Sequence, residues 1–333
     1  MSVSVLFIGG TGRISTSCVR EAVAQGMDVT VLNRGKTSER ALPPGVTTIA
    51  ADVNDPESVR AALGDASFDA VVNWVNFTPA QVQRDIDLFS GRCGQYLFIS
   101  SASAYQTPPT HLPVVESTPL KNPFWQYSRD KIACEELLTA AYRDDDFPMT
   151  IIRPSHTYDE TLLPFDGGWT VVDRMRKGKP VVVHGDGTSL WTITHSRDFA
   201  VGFTGLLGKE AAVGEAFHIT GDEAPTWNQI FAYVADAAGV EELNLVHVPS
   251  DAIAAADPNW GAGLLGDKAH SMVFDNAKVK ALVPEFGRNT TPYKLGAREL
   301  IAWYDAHPEQ QVVDPEVDDL MDRLAERYAP RPL

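Results

Sequence analysis

The chain has 333 residues, 44% of them hydrophobic and 22% charged, with a formal net charge of −16. That length can bury a large core and suggests two domains, or one domain with an extension. The acidity opposes non-specific binding to nucleic acid or anionic membrane, and no apolar run reaches the ~18 residues of a membrane span.

The first half alternates short apolar runs with helical patterns. Strands are predicted at Val3–Ile8, Val29–Leu32, Val46–Ala50, Ala70–Trp74, Tyr96–Ser100 and Thr150–Arg153. Most are continuous apolar runs, as parallel strands covered on both faces require. Between them, Ile14, Cys18 and Ala22 recur every fourth residue in RISTSCVREAVAQG, and Gly26 supplies a stop. DPESVRAALG offers Asp55 as a cap, Pro56 at the first helical position and Gly64 at the end. TPAQVQRDIDLFSG and YSRDKIACEELLTAAYR are longer and amphipathic. Repeated strand–helix–strand units predict an α/β fold, a Rossmann-type doubly wound parallel sheet over residues 1–154.

After RPSHTYD the texture changes, with frequent Pro, Gly and Trp and a helical window at Asn228–Ala238. Residues 155–333 are expected to form mainly a smaller α/β substrate-binding domain, with some segments returning to the first sheet. It would sit on the carboxyl ends of the strands, where open α/β sheets take ligands. The tail PEVDDLMDRLAERYAPRPL reads as an acidic amphipathic helix followed by a loose proline-rich end. Cys18, Cys93 and Cys134 are odd in number and form no CxxC pair, which disfavours a disulfide framework or structural zinc. With no basic leader before VSVLFIGG, the expectation is a soluble cytoplasmic protein.

Two groups of residues carry chemistry. The first is GGTGRIS, lying between a predicted strand and a predicted helix. Gly9, Gly10, Thr11, Gly12, Arg13 and Ile14 form a loop whose backbone N–H groups can approach a diphosphate at a helix N-terminus. Ser15 stands where the last glycine of such a motif is usual, and a slightly wider helix–strand contact is expected there. At the end of the second strand, Asn33 replaces the acid that repels a 2′-phosphate, and Arg34 and Lys36 can pair with one. This favours NADP over NAD. Asp52 and Val53 follow the third strand and are placed to border the adenine. Asn73, Trp74 and Val75 end the fourth strand and are expected beside the cofactor.

The second group is Ser101, Tyr127 and Lys131. Tyr127 and Lys131 are four residues apart on a helical pattern and share one face. A phenol with a pKa of about 10 is a poor base. A neighbouring ammonium and a positive nicotinamide ring should favour the phenolate by charge attraction. A strand-end serine can hold the substrate oxygen in line. Together such groups move a proton at oxygen while a hydride travels to or from a cofactor. No His, Asp or Glu spacing resembles a metal site.

The segments GGTGRIS, ADV, ISSASAY, YSRDK, IIRPS and THSRDFA, spanning Val3 to about Ala200, resemble the extended short-chain dehydrogenase/reductase superfamily, in particular its NAD-dependent epimerase/dehydratase family. The resemblance implies that Ser101, four residues before Tyr105, is the catalytic serine, with Ser100 beside the cofactor. It implies that Pro154 and Ser155 lie near the nicotinamide and that His156 faces the substrate. Ser103, Phe124 and Trp125 are further candidates for the substrate pocket. LNRGK and FHITGDEAPTWNQI are similar to a bacterial subgroup related to chloroplast proteins that bind stem-loop RNA. Family members that eliminate water carry an acidic pair after the catalytic residue. Ala102 and Ser103 stand there instead, so dehydration and decarboxylation are disfavoured. What remains is epimerisation, or net oxidation or reduction of an alcohol, on a sugar or nucleotide-sugar-like substrate, which the resemblance implies as the default. A homodimer through the two long helices is the family-level expectation. His195 and Asp198, and the tryptophans at 169, 191 and 260, read as structural.

Overall fold

The computed structural model describes residues 2–35 and 40–329. Strand β1 (Ser4–Ile8) leads through the glycine loop into helix α1 (Arg13–Ala24), followed by β2 (Asp28–Asn33) and β3 (Thr47–Ala50). Then come α2 (Pro56–Leu63), β4 (Ala70–Asn73), α3 (Pro79–Phe89), β5 (Tyr96–Ile99), α4 (Gln126–Asp145) and β6 (Met149–Pro154). Each of the six predicted strands is present to within one residue at either end. Their apolar runs are the reason: Val5, Leu6 and Phe7 of β1 are fully buried, because helices cover both faces of the sheet. Burying each such side chain contributes ~1.5–3 kcal/mol.

Local signals also set the helix ends. Asp55 caps α2 by accepting from the Ser58 N–H, Pro56 takes the first helical position, and Gly64 leaves the helix at φ 52°. Gln81 of α3 bonds back to the N–H groups of Phe77 and Thr78, satisfying donors that the helix start would otherwise leave open.

Beyond Pro154 the chain makes β7 (His156–Tyr158), α5 (Trp169–Arg176), β8 (Val181–His184), β9 (Ile193–His195), α6 (Ser196–Thr204) and β10 (Ala216–Ile219). It continues with α7 (Trp227–Ala237), β11 (Leu245–Val248), α8 (Ser250–Ala256), α9 (Pro258–Gly263), α10 (Ala277–Leu282), α11 (Tyr293–Ala306) and α12 (Pro315–Tyr328). The central sheet has seven parallel strands in the order β10-β6-β5-β4-β1-β2-β3. Thus β10 returns to the first sheet beside β6, and α6 packs on α1, where the Ser17 and Ser196 hydroxyls lie 2.9 Å apart.

The remaining elements form a second core. Strand β8 pairs with β11, while α5, α7, α11 and α12 contribute Trp169, Trp227, Leu300 and Leu324. The acidic tail helix seals this core. Its half-buried Asp318 and exposed Asp322 carboxylates reach the fully buried Arg174 guanidinium, Asp322 at 2.6 Å. The proline-rich end after residue 329 lies outside the described residues.

Candidate active site

Two cavities flank the first turn of α1. One, of about 390 Å³, lies over the carboxyl ends of β1 to β4. Of the residues predicted to bind a cofactor, Gly9, Thr11, Gly12, Asn33, Arg34, Asp52, Val53 and Val75 line it, joined by Asn54 and Gln81. Gly9 adopts φ +85°, a region that costs other residues strain. A helix start of this kind offers backbone N–H groups and the positive end of the helix dipole to an anion.

Ser15 does more here than the sequence suggests. Its hydroxyl accepts from the Gly12 N–H at 2.8 Å and donates to the Gly9 carbonyl at 2.9 Å, closing the loop on itself. The close approach of helix to strand falls to Gly10 instead. A Cβ there would lie 3.0 Å from a Val31 methyl and 3.2 Å from a Val19 methyl. Gly10 therefore packs beneath the loop, and Arg13 points to solvent. At the far end, the Asn33 side chain accepts from the Gly35 N–H at 2.9 Å. Arg34 is exposed at the cavity and makes no ion pair among the described residues. Lys36 lies outside the described residues.

Two expectations at the end of β4 need correction. Asn73 turns away from the cavity, and its amide donates to the buried Asp85 at 2.5 Å. Trp74 turns to the opposite face, against Phe199 and Phe203. Successive side chains leave a strand on opposite sides, so three consecutive residues cannot all face one ligand.

The second cavity, of about 250 Å³, is lined by Ile14, Ser100, Ser101, Ser103, Trp125, Tyr127, Pro154, Ser155 and His156 from the predicted set. Phe124 does not line it and is exposed at the surface. Sequence reasoning missed Thr157, Thr192, Asp267, Lys268, Met272 and Phe274 and read Trp191 as core packing, yet all seven line this cavity.

The Ser101 hydroxyl lies 2.9 Å from that of Ser103, which in turn lies 2.7 Å from that of Ser128. Ser100 is engaged elsewhere: it donates to Glu135, which pairs with Arg153 in a buried bridge at 2.6 Å. Asn122 ties three pieces of the site together. Its amide donates to the carbonyls of Ser103 and Gly266, at 2.8 and 2.7 Å, and its oxygen accepts from the N–H groups of Phe124 and Trp125. The asparagine of NPFW carried the one signal for this, an Asn-Pro turn.

Lys131 is buried, and its ammonium donates to the carbonyls of Asn76 and Ile99 at 2.7 and 2.8 Å. Burial pulls its pKa down to about 8. The ammonium lies 5.7 Å from the centre of the Tyr127 ring. The expected lowering of the phenol by this lysine is not what sets its state. Burial raises Tyr127 above its ordinary value, the Ser101 hydroxyl partly opposes this, and the Asp267 carboxylate adds to it. The group at the cavity is therefore a neutral phenol, a proton donor. His156 packs on Trp191, ring centres 4.5 Å apart, and burial together with Lys268 pulls it down to about 3, so its imidazole is neutral.

A phenol and a hydroxyl at one cavity, with a lysine one helical turn away and a loop fit for a diphosphate next door, can deliver a proton to oxygen beside a bound nucleotide. Comparisons with known proteins agree in kind. Over 97% of this chain and 91% of the other, it is 26% identical to a 2'-dehydrokanamycin reductase of Streptomyces kanamyceticus. It is 27% identical to the chloroplast stem-loop binding protein of 41 kDa b of Arabidopsis thaliana, over 73% of this chain and 65% of that one. A solved UDP-glucuronic acid 4-epimerase of Bacillus cereus, in complex with UDP-glucuronic acid and NAD, shares the fold. Its TM-score is 0.71 at 16% identity, covering 91% of this chain and 99% of that one. The model of the NAD dependent epimerase/dehydratase family matches residues 5–220, across the glycine loop and the Ser–Tyr–Lys set, and the chain belongs to that family.

Proposed function

We propose that this chain is an NAD(P)-dependent oxidoreductase working at a carbinol carbon of a sugar-like substrate, with Tyr127, Ser101 and Lys131 as its catalytic residues. The observation that carries this reading is the convergence of Tyr127 and Ser101 on the cavity next to the glycine loop, with Lys131 buried one turn along α4. The residues present fit a dinucleotide. The N-terminus of α1 with Gly9, Thr11 and Gly12 would hold the diphosphate, and Asp52 and Val53 would border the adenine. Asn33 and Arg34 would take the adenosine ribose, with no carboxylate at the end of β2 to repel a 2′-phosphate, which favours NADP.

When bound, the nicotinamide ring supplies hydride transfer. Tyr127 gives its proton to the substrate oxygen in reduction and takes it back in oxidation. Ser101 holds that oxygen in line, and Lys131, fixed by two carbonyls, keeps a positive charge behind the phenol. The reductase named among the relatives supports net reduction of a ketone as the first reading. Epimerisation is the second reading, favoured by the family itself. Absorbance at the reduced-nicotinamide band separates the two: net reduction consumes one reduced cofactor per product, and epimerisation consumes none. Net charge counts against RNA binding, since −16 repels a phosphate backbone. We further propose a homodimer through the outer faces of α3 and α4, readable by light scattering.

A further inference from the structure

We infer that the substrate is an amine-bearing ring without phosphate, and that Asp267 is the group that receives its ammonium. This rests on the oxidoreductase reading above and narrows its substrate class.

Size speaks first. About 250 Å³ lies below the ~300–1,000 Å³ of pockets that hold drug-sized ligands. A single hydroxylated ring fits that space better than a sugar joined to a nucleoside diphosphate. Charge speaks second. Phosphate recognition calls for arginine forks or free lysines. No arginine lines this cavity, and Lys268 is its one cation among the described residues. The Lys268 ammonium is already 3.6 Å from Asp166, and Asp257 adds a further carboxylate near that pair. With that ammonium engaged by Asp166, Asp267 is the carboxylate that lines the cavity itself.

Asp267 itself makes no ion pair among the described residues. Burial raises its pKa to about 6, with a smaller addition from Asp166, while the Lys268 charge and a bond from the Trp191 indole oppose the rise and favour the carboxylate. Asp267 lines the cavity with the Trp125 and Tyr127 rings, aromatic groups of the kind that attract cations, while Trp191 is packed by His156 and Trp227. His156 also lines the cavity, and its buried Nε2 has no hydrogen-bond partner among the described residues. A neutral imidazole with a free nitrogen suits a substrate hydroxyl.

The backbone that presents Asp267 is built for the position. Residues Leu264–Lys268 form a π-helical turn, a rare form found frequently at functional sites. Gly266 lets that turn press on α4, since a Cβ there would lie 2.8 Å from the Trp125 Cβ. Asn122 then pins the turn to the loop that carries Ser103.

Calorimetric titration of the NADP-loaded protein with glucose, glucosamine, N-acetylglucosamine and UDP-glucose tests this, with wild type and Asp267→Asn in parallel. Glucosamine should bind at least tenfold tighter than glucose and N-acetylglucosamine, and UDP-glucose no tighter than glucose. Asp267→Asn should bring glucosamine to the level of glucose while leaving the affinity for NADP unchanged. Tightest binding of UDP-glucose, no preference for or no binding of glucosamine, or a preference that survives Asp267→Asn, would each overturn the inference alone. Failure of the wild type to bind either NADP or NAD would overturn the oxidoreductase reading, and this inference with it.

Discussion

The cavity proposed for the nucleotide and the cavity proposed for the substrate meet at the first turn of α1, yet the chain builds them in opposite ways. The first takes its walls from strand–turn–helix units that are contiguous in sequence, within residues 8–81. The second draws on six segments, from Ile14 to Phe274. Two isolated bridges bring the last of these into place, Trp191 to Met272 and Val114 to Phe274. The first is set by local geometry, and the second by how the C-terminal half packs onto the sheet. Binding of a common cofactor should therefore tolerate changes that alter the substrate, and Tyr127 and Ser101, the proposed catalytic groups, stand on the second cavity close to the first.

The sharpest way to break this comparison is at the junction. Tyr127→Phe should lower turnover about 10²–10⁴-fold, the range of lost general acid–base catalysis, while cofactor affinity stays within about twofold. Equal losses in both would mean that Tyr127 belongs to the nucleotide side. The next effect concerns the support beneath the junction. Glu135→Ala leaves the buried Arg153 guanidinium without its carboxylate and frees Ser100, so urea unfolding should show a loss of about 3–5 kcal/mol.

The substrate side should also respond more strongly to acid. His184, buried beneath the Lys268 carbonyl, has its pKa pulled down to about 4 by burial, below the ~6.5 of the unfolded chain. Between those values the unfolded state binds more protons, so stability falls as pH drops. From pH 7 to 5 this one group should cost about 2 kcal/mol. Asp267, raised to about 6, opposes the trend, because its folded form holds a proton that the unfolded form releases. Urea unfolding of His184→Gln at both pH values should show a correspondingly smaller loss.

On the nucleotide side the effects are smaller. Arg34→Ala should weaken NADP about tenfold and leave NAD unchanged, since the guanidinium can only distinguish them by pairing with a 2′-phosphate. Equal affinities before and after would remove the preference for NADP. Ser15→Ala should weaken either cofactor by a few-fold, on the scale of about 1 kcal/mol for lost hydrogen bonds within the loop.

How much could be read in advance follows the same division. Buried parallel strands announce themselves as apolar runs, and the cap, proline and glycine of α2 mark its ends. Hence the first six strands and most of the lining of the cavity over the glycine loop were legible. Asn73 and Trp74 were misplaced because their position at a strand end was clear but the face each occupies was not. Asp267 and Lys268 carry no motif; only the packing of a π-helical turn against Trp125 puts them beside Tyr127. Ser15 was read by size, and its hydroxyl proved to be the useful part.

The most direct test of the junction is a crystal structure of the protein with NADP bound. The adenosine end should lie among Asn33, Arg34 and Asp52, the diphosphate on the first turn of α1, and the nicotinamide beside Tyr127 and Ser101. A nicotinamide directed away from Tyr127, or a nucleotide held anywhere else on the chain, would contradict this placement.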